Sequence, residues 1–463
     1  MAVLSLDIGT TKICALAVDE DGGAILETLF SANAFLPSPH SYERIQDPDA
    51  IFRTAENMCA ELIGKYAPIR CIGISGQMHG IVYTDSSGTA LSPLYTWQDM
   101  RASLSYRDGM SYAGYLHKLN TGNIAAGYGL ATHFYQLKLG LVPAGASSLC
   151  TIGDYIAMRL CSLKKPLMHS TNADSIGFFN ISGSHFEYDA LEAAGINPHI
   201  LPAVTGANEI LGKTKEGIPV CVAIGDNQAS FLGSVRDSDK SVLVNVGTGS
   251  QLSLVQESIS APHGLETRPF FDRKLLLVGA ALCGGRAYAI LERFFQELFA
   301  MSSQPVPNDL YSLMDRSVLE VPRPDDPLTV KPLFAGTRKD PFIRGSIENI
   351  SQHNFTPSNL IRGFLEGIAD ELHEMYRPVR DSIKNKYQYL ILSGNGARKN
   401  IPLIGMLSEK FNLSVEMPRC REEAAYGAAL FALTCTGHFT NVSEAQKLIQ
   451  YQSVCSNTEA SSN

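Results

Sequence analysis

Leu4-Ser-Leu-Asp-Ile-Gly-Thr-Thr-Lys-Ile-Cys-Ala-Leu-Ala17 and Val242-Leu-Val-Asn-Val-Gly-Thr-Gly-Ser-Gln-Leu-Ser-Leu-Val255 are two copies of one pattern. Each runs from an apolar strand through Asp or Asn, a β-branched residue and Gly-Thr into a second strand, which reads as a tight hairpin. Each copy opens one half of the chain. A duplicated unit of this kind predicts two related domains facing a shared cleft. Between the copies, apolar strand-like runs alternate with helix-length amphipathic stretches, so the fold class is α/β. The charged stretch Arg236-Asp-Ser-Asp-Lys240 marks the boundary. It predicts one domain over 1–235 and a second over 236–455, with the small, polar residues 456–463 as a disordered tail.

The bulk properties agree. A chain of 463 residues exceeds what one core comfortably fills. A net charge of −8, with Lys and Arg scattered, argues against a nucleic-acid partner and against a polybasic membrane patch. There is no basic-then-apolar leader and no apolar run of about 18 residues. The ten cysteines are dispersed, without a Cys-x-x-Cys pair, and fit reduced thiols better than a disulfide framework or a zinc site. The expectation is a soluble cytoplasmic protein.

Ala55 to Tyr66 reads as a helix leading into the buried strand Ile69 to Ser75, which ends at Ser75-Gly-Gln-Met-His-Gly80. A second strand exit is Val220-Cys-Val-Ala-Ile-Gly-Asp226. In the first hairpin, Gly9 permits the turn and leaves room for a phosphate. Successive backbone N–H groups and the Thr10 and Thr11 hydroxyls can donate to phosphate oxygens. Asp7, at a strand end, could hold Mg²⁺ through water. A plain glycine turn would explain one such hairpin; the second copy at Gly247-Thr248-Gly249 argues against coincidence.

Asp226 stands at the carboxyl end of an apolar strand, where α/β folds place ligands. It could accept the proton of an attacking hydroxyl, or cap a helix. His79 fits a core position or a sugar donor. Trp97, the single tryptophan, lies in Tyr95-Thr-Trp-Gln-Asp-Met-Arg101 and fits either core or a platform for a sugar. Gly212-Lys213-Thr214 has no glycine at 207 and reads as a turn, not a phosphate loop. Gly394 to Ala397 follows the strand Tyr389 to Ser393 and precedes a helix, so it is either a nucleotide approach or a plain turn.

Together these segments resemble the FGGY carbohydrate kinases. Eight motifs occur in the family's order: Asp7-Ile-Gly-Thr-Thr11, Ser75-Gly-Gln-Met-His-Gly80, Trp97-Gln-Asp-Met-Arg101, Gly225-Asp-Asn-Gln-Ala229, Asn245-Val-Gly-Thr-Gly249, Gly284-Gly285, Ser393-Gly-Asn-Gly-Ala397 and Glu422-Glu-Ala-Ala-Tyr-Gly-Ala428. The resemblance implies two actin-like, ribonuclease H-like domains, the first binding sugar and the second nucleotide. It implies ATP and Mg²⁺ as cofactors, a small-molecule sugar as acceptor, and a monomer or homodimer. By the same resemblance Asp226 is the general base and Asn227 its neighbour on the sugar. Gln77, Met78, His79, Trp97, Asp99 and Arg101 fall to the sugar loops. Thr10, Thr11, Gly247 and Thr248 fall to the phosphates, Gly285, Gly396 and Asn400 to adenosine, and Asp7 to the metal. Thr96 to Arg101 and Gly127 to His133 look like the sedoheptulokinase branch, and Gln-Met-His-Gly also like xylulokinases.

One departure stands out. Many relatives place a cation two residues beyond Gly-Thr-Thr-Ser, and here Cys14 occupies that position. Lys12 is the available substitute, subject to the alternation of strand side chains. A non-catalytic sensor and an actin-like ATPase are the rival expectations. Intact Asp7 and Asp226 speak against the first, and the loops at 75–80 and 95–101 against the second.

Overall fold

The computed structural model describes residues 1–119, 124–257, 264–337, 340, 342–383 and 386–452. The chain forms two units. The first comprises Met1–Arg236, Arg268–Leu275 and Glu422–Ile449; the second comprises Asp237–Thr267, Leu276–Arg421 and the residues from Gln450 onward. The first crossing falls at the charged stretch. A continuous second domain over 236–455 is not what forms, because Glu422–Ile449 returns to the first unit. The tail expected at 456–463 lies outside the described residues.

The first unit holds a mixed sheet in the order Ile210–Lys213, Pro219–Cys221, Ile69–Gly76, Ala2–Ile8, Lys12–Asp19, Ile25–Ala32. The three N-terminal strands pair antiparallel. Ile69–Gly76 and Pro219–Cys221 then join in parallel, and Ile224–Gly225 also pairs with Ile69–Gly76. The second unit repeats this order. Leu275–Ala281 lies beside Ser250–Gln256, which pairs antiparallel with Ser241–Val246, and Tyr389–Ser393 and Ser414–Pro418 follow in parallel. Each hairpin copy thus seeds a sheet of the same topology, the duplication that the repeated pattern predicts. Gly212 and Lys213 end an edge strand, and Thr214 begins the turn to Ile218.

Local signals account for the elements. The helix expected from Ala55 begins at Pro48, because Asp47 caps it: its carboxylate accepts from the amides of Asp49 and Ala50 at 2.9 and 3.0 Å, with proline in the first turn. The helix Glu423–Cys435 is apolar on nearly every side, so it must be buried all round. It lies against the first sheet and against the helix Asp226–Ser234. That crossing is too close for side chains. A Cβ on Gly427 would sit 1.9 Å from the Ala229 carbonyl oxygen, and one on Gly233 would sit 2.0 Å from that of Glu423. No helix among the described residues is long and apolar enough to cross a membrane.

Gly427→Ala should therefore destabilise the protein by about 1–3 kcal/mol through overpacking. Gly405→Ala, in the exposed middle of Ile401–Phe411 with open space around its Cβ, should stabilise it by about 0.5–1 kcal/mol. Thermal melts of both variants check the pair; equal shifts would contradict the close crossing.

Candidate active site

In the first hairpin, Asp7 stands opposite Cys14 on one side and Ser75 on the other. The Ser75 hydroxyl donates to Asp7 Oδ1 at 2.8 Å. Burial pushes the Asp7 carboxyl up to about 6, against the Ser75 hydrogen bond; Glu422 raises it further and Lys12 lowers it. Cys14 is fully buried. Lys12 lies two residues earlier and shares its face. Its Nζ reaches both oxygens of Glu422, at 2.9 and 2.7 Å, and lies 4.5 Å from the Phe30 ring centroid. Lys12 thus places a cation on the strand face that position 14 shares, and there it is paired with a carboxylate. Among the described residues no group of three or more His, Cys, Asp or Glu could hold a metal ion, so a divalent cation at the hard oxygens of Asp7 would keep most of its waters.

Thr10 joins the hairpin to two of the motif loops. Its hydroxyl donates to Gln77 Oε1 at 3.2 Å and accepts from Trp97 Nε1 at 2.9 Å. Gln46, absent from the sequence reading, closes the ring: its Nε2 donates to the Thr10 carbonyl at 2.7 Å, and its Oε1 accepts from Gln77 Nε2 at 2.8 Å. Trp97 is not core. It is 46% exposed, and its indole N–H is fixed by Thr10. Thr11, the next residue of the hairpin after Thr10, is exposed.

Met78 is buried, and His79 is partly buried with a left-handed φ of 72°. The His79 ring stacks on Tyr128 with centroids 4.4 Å apart. Asp99 and Arg101 are both buried and grip each other through two bonds, Nε to Oδ1 at 2.7 Å and Nη2 to Oδ2 at 2.9 Å. Asp99 also accepts from the amides of Arg44 and Arg101 at 3.0 and 3.1 Å. These bonds brace the loop that carries Trp97.

Asp226 is the first residue of the helix Asp226–Ser234, with Gly225 in the cap position and no side-chain cap bond. The helix-cap alternative is therefore not the one adopted. Burial pushes its carboxyl up to about 7, and the charge of Asp7 adds to the rise; the Asn227 amide and Arg268 oppose it. Arg268 Nη1 donates to Asn227 Oδ1 at 3.2 Å, and Arg268 is itself buried. This arginine carried no signal beyond being a lone cation in Glu266-Thr-Arg-Pro269, far from Asn227 along the chain.

In the second unit, Gly247, Thr248, Gly285, Gly396 and Asn400 all line one cavity of about 1030 Å³. Its floor is the second hairpin. The amides of Gly285 and Arg286 donate to the Gly247 and Thr248 carbonyls at 2.8 and 2.9 Å, so the helix Gly285–Met301 begins on the Gly-Thr turn. Gly394 has φ 80°, and a Cβ there would lie 2.5 Å from the Val246 carbonyl, so only glycine suits the turn. Asn400 caps Ile401–Phe411 through Oδ1, accepting from Leu403 N at 2.8 Å, and its Nδ2 donates to Asp315 at 3.1 Å. Tyr288 donates to the same Asp315 oxygen at 2.6 Å. Tyr288 and Asp315 also line the cavity, and spacing in the sequence gave no hint of them.

Comparisons with known proteins divide the chain at the same charged stretch. A family model described as the FGGY family of carbohydrate kinases, N-terminal domain, matches residues 2–233, and that of the C-terminal domain matches residues 242–435. A sedoheptulokinase of Mus musculus is 28% identical, with 93% of this chain and 97% of the relative covered. Among solved structures, xylulose kinase from Rhodospirillum rubrum superposes with TM-score 0.84 at 21% identity, covering 98% of this chain and 93% of that one. Plasmodium falciparum glycerol kinase with ADP superposes with TM-score 0.78 at 19% identity, covering 96% and 92%. With both domain models matched in order along one chain, the protein belongs to the FGGY family of carbohydrate kinases and is a phosphotransferase.

Proposed function

We propose that this kinase transfers the γ-phosphoryl group of ATP to the terminal hydroxyl of a ketose, sedoheptulose giving sedoheptulose 7-phosphate. The observation that carries the reading is Asp226: a part-buried carboxylate opening a helix, pushed up to about 7 beside a second carboxylate. Such a group ionises near neutral pH, where a general base is most effective. Asp226 takes the proton of the acceptor hydroxyl as its oxygen attacks the γ-phosphorus in line. Asn227, oriented by Arg268, holds a neighbouring hydroxyl.

The exposed face of Trp97 offers an apolar platform for the sugar, with Gln77, Met78 and His79 beside it. Asp99 and Arg101 keep that platform in place. Thr10, Thr11 and Lys12 face the transferred phosphate, and Asp7 would hold Mg²⁺. When bound, the ion neutralises charge on the phosphate oxygens. In the second unit, Gly247 and Thr248 suit the donor's phosphates. The helix start at Gly285, with Gly396 and Asn400, suits its adenosine.

The seven-carbon acceptor is supported by the stretches Thr96 to Arg101 and Gly127 to His133 and by the sedoheptulokinase likeness over nearly the whole chain. A five-carbon ketose is the second reading, favoured by the Gln77-Met-His-Gly80 loop. Coupled ADP release over sedoheptulose, D-xylulose, D- and L-ribulose and glycerol separates them. The highest kcat/KM should fall on sedoheptulose, and a preference for D-xylulose would reassign the acceptor while leaving the reaction intact.

Asp226→Asn should lower kcat by about 10²–10⁴-fold while the acceptor still binds; near-normal turnover would remove Asp226 from the chemistry. For the wild type, kcat/KM should rise with pH and level off above about 7, as the base ionises. Stability should move the other way. The folded-state value lies above the ordinary 3.8, so the favourable contribution of the protonated carboxyl is complete at low pH and lost as pH rises through about 7. Asp226→Asn should therefore raise Tm at pH 8 and leave it nearly unchanged at pH 4. A larger gain at pH 4 than at pH 8 would refute the raised value.

A further inference from the structure

The short helix Ser170–Ile176 lies behind both acceptor-side loops and is bonded to each. Thr171 Oγ1 accepts from the Gly225 amide at 3.1 Å, one residue before Asp226. The same hydroxyl lies 2.9 Å from His169 Nδ1. Asn172 Nδ2 donates to the Ala223 carbonyl at 3.2 Å and to Asp154 Oδ1 at 3.1 Å. Thr151 holds the other Asp154 oxygen, its hydroxyl donating at 2.7 Å. On the far side, Ser175 Oγ accepts from the His79 amide at 3.1 Å, and the Ser175 carbonyl lies 2.7 Å from His79 Nδ1. Thr171, Asn172, Ser175, Asp154 and His169 are all buried, none more than 1% exposed.

This arrangement is a poor way to make a stable core. Asn172 Oδ1 and His169 Nε2 are buried without a hydrogen-bond partner among the described residues, and an apolar interior would avoid that cost. What the polar groups accomplish is geometric. They tie three stretches that are remote in sequence, at 79, at 154 and at 223–225, to one rigid turn of helix. His79 holds a left-handed φ of 72°, a conformation that a non-glycine residue keeps only where its surroundings enforce it. The two contacts from Ser175 are such an enforcement.

We infer that Ser170–Ile176 is a positioning clamp for phosphoryl transfer, with Thr171 and Asn172 setting the backbone from which Asp226 projects and Ser175 setting His79 on the acceptor. This rests on reading Asp226 as the base. A displacement of about 1 Å at a reacting group can cost on the order of 10²-fold in rate, so the two ends of the helix act on different constants. Thr171 governs the chemical step, and Ser175 governs acceptor binding.

The test is steady-state kinetics of the full chain with MgATP and the ketose that it turns over best, alongside thermal melts. Thr171→Val keeps the shape and removes the acceptor for Gly225 N. It should lower kcat about 10–100-fold, with the KM for ATP within about 3-fold of wild type. Thr171→Ser should return kcat to within about 3-fold of wild type. Ser175→Ala should raise the acceptor KM about 10-fold and change kcat less than about 3-fold. Wild-type constants in Thr171→Val, or a loss that serine does not rescue, would overturn the clamp. So would a Ser175→Ala variant that alters only Tm. Should Thr171→Val not fold, the Ser175→Ala split between KM and kcat decides alone. Asp226→Asn is measured in parallel: inactivity there with normal Thr171→Val sinks the clamp and spares the base, whereas full activity there sinks the base whatever Thr171→Val does.

Discussion

The proposed proton transfer depends on keeping one carboxylate part-buried beside another. Asp226 and Asp7 each resist ionisation because burial withholds water, and the charge of Asp7 adds to the rise at Asp226. An exposed aspartate would be ionised at neutral pH but too weak a base to draw a proton from an alcohol effectively. The fold offsets the cost elsewhere. The glycine-lined crossing of Asp226–Ser234 with Glu423–Cys435 seats the helix that begins at Asp226 against a second helix, which itself lies on the sheet. Arg268 reaches Asn227 from a separate strand and restrains the rise at Asp226.

Much of the architecture was legible in the sequence because it is local. A hairpin repeated with the same spacing announces itself, and each copy organises one sheet of matching order. Strand ends carry Asp226 and Gly394, and the five residues nominated in the second unit prove to line one cavity. What escaped was non-local. Residues Glu422–Ile449 follow the second unit in sequence yet pack into the first. Gln46, Arg268, Tyr288 and Asp315 reach their partners only after folding, from segments with no motif of their own. Asp99 and Arg101 stood out as polar residues of a motif, but the ion pair that they form with each other became visible only in the fold.

Where the expected cation would stand, Cys14 is buried, and a lysine lies on the same strand face two residues earlier. Residues 12 and 14 share a strand face, so Lys12 delivers its charge to the space that Asp7 occupies. Its pairing with Glu422 means that this charge is already partly neutralised. Both ends of the pair keep substantial exposure, and such pairs are held weakly. A phosphate dianion is a stronger partner for an ammonium group than one half-buried carboxylate, so on the proposed reading the exchange of Glu422 for phosphate would cost little.

The central claim is that this chain esterifies the terminal hydroxyl of a ketose, with water kept out of the reaction. Phosphorus-31 NMR of a reaction containing ATP, Mg²⁺, sedoheptulose and the full chain reads that outcome without coupling enzymes. Ketose phosphorylation gives ADP together with a phosphomonoester signal split by a terminal methylene pair. ADP accompanied by inorganic phosphate alone would contradict it.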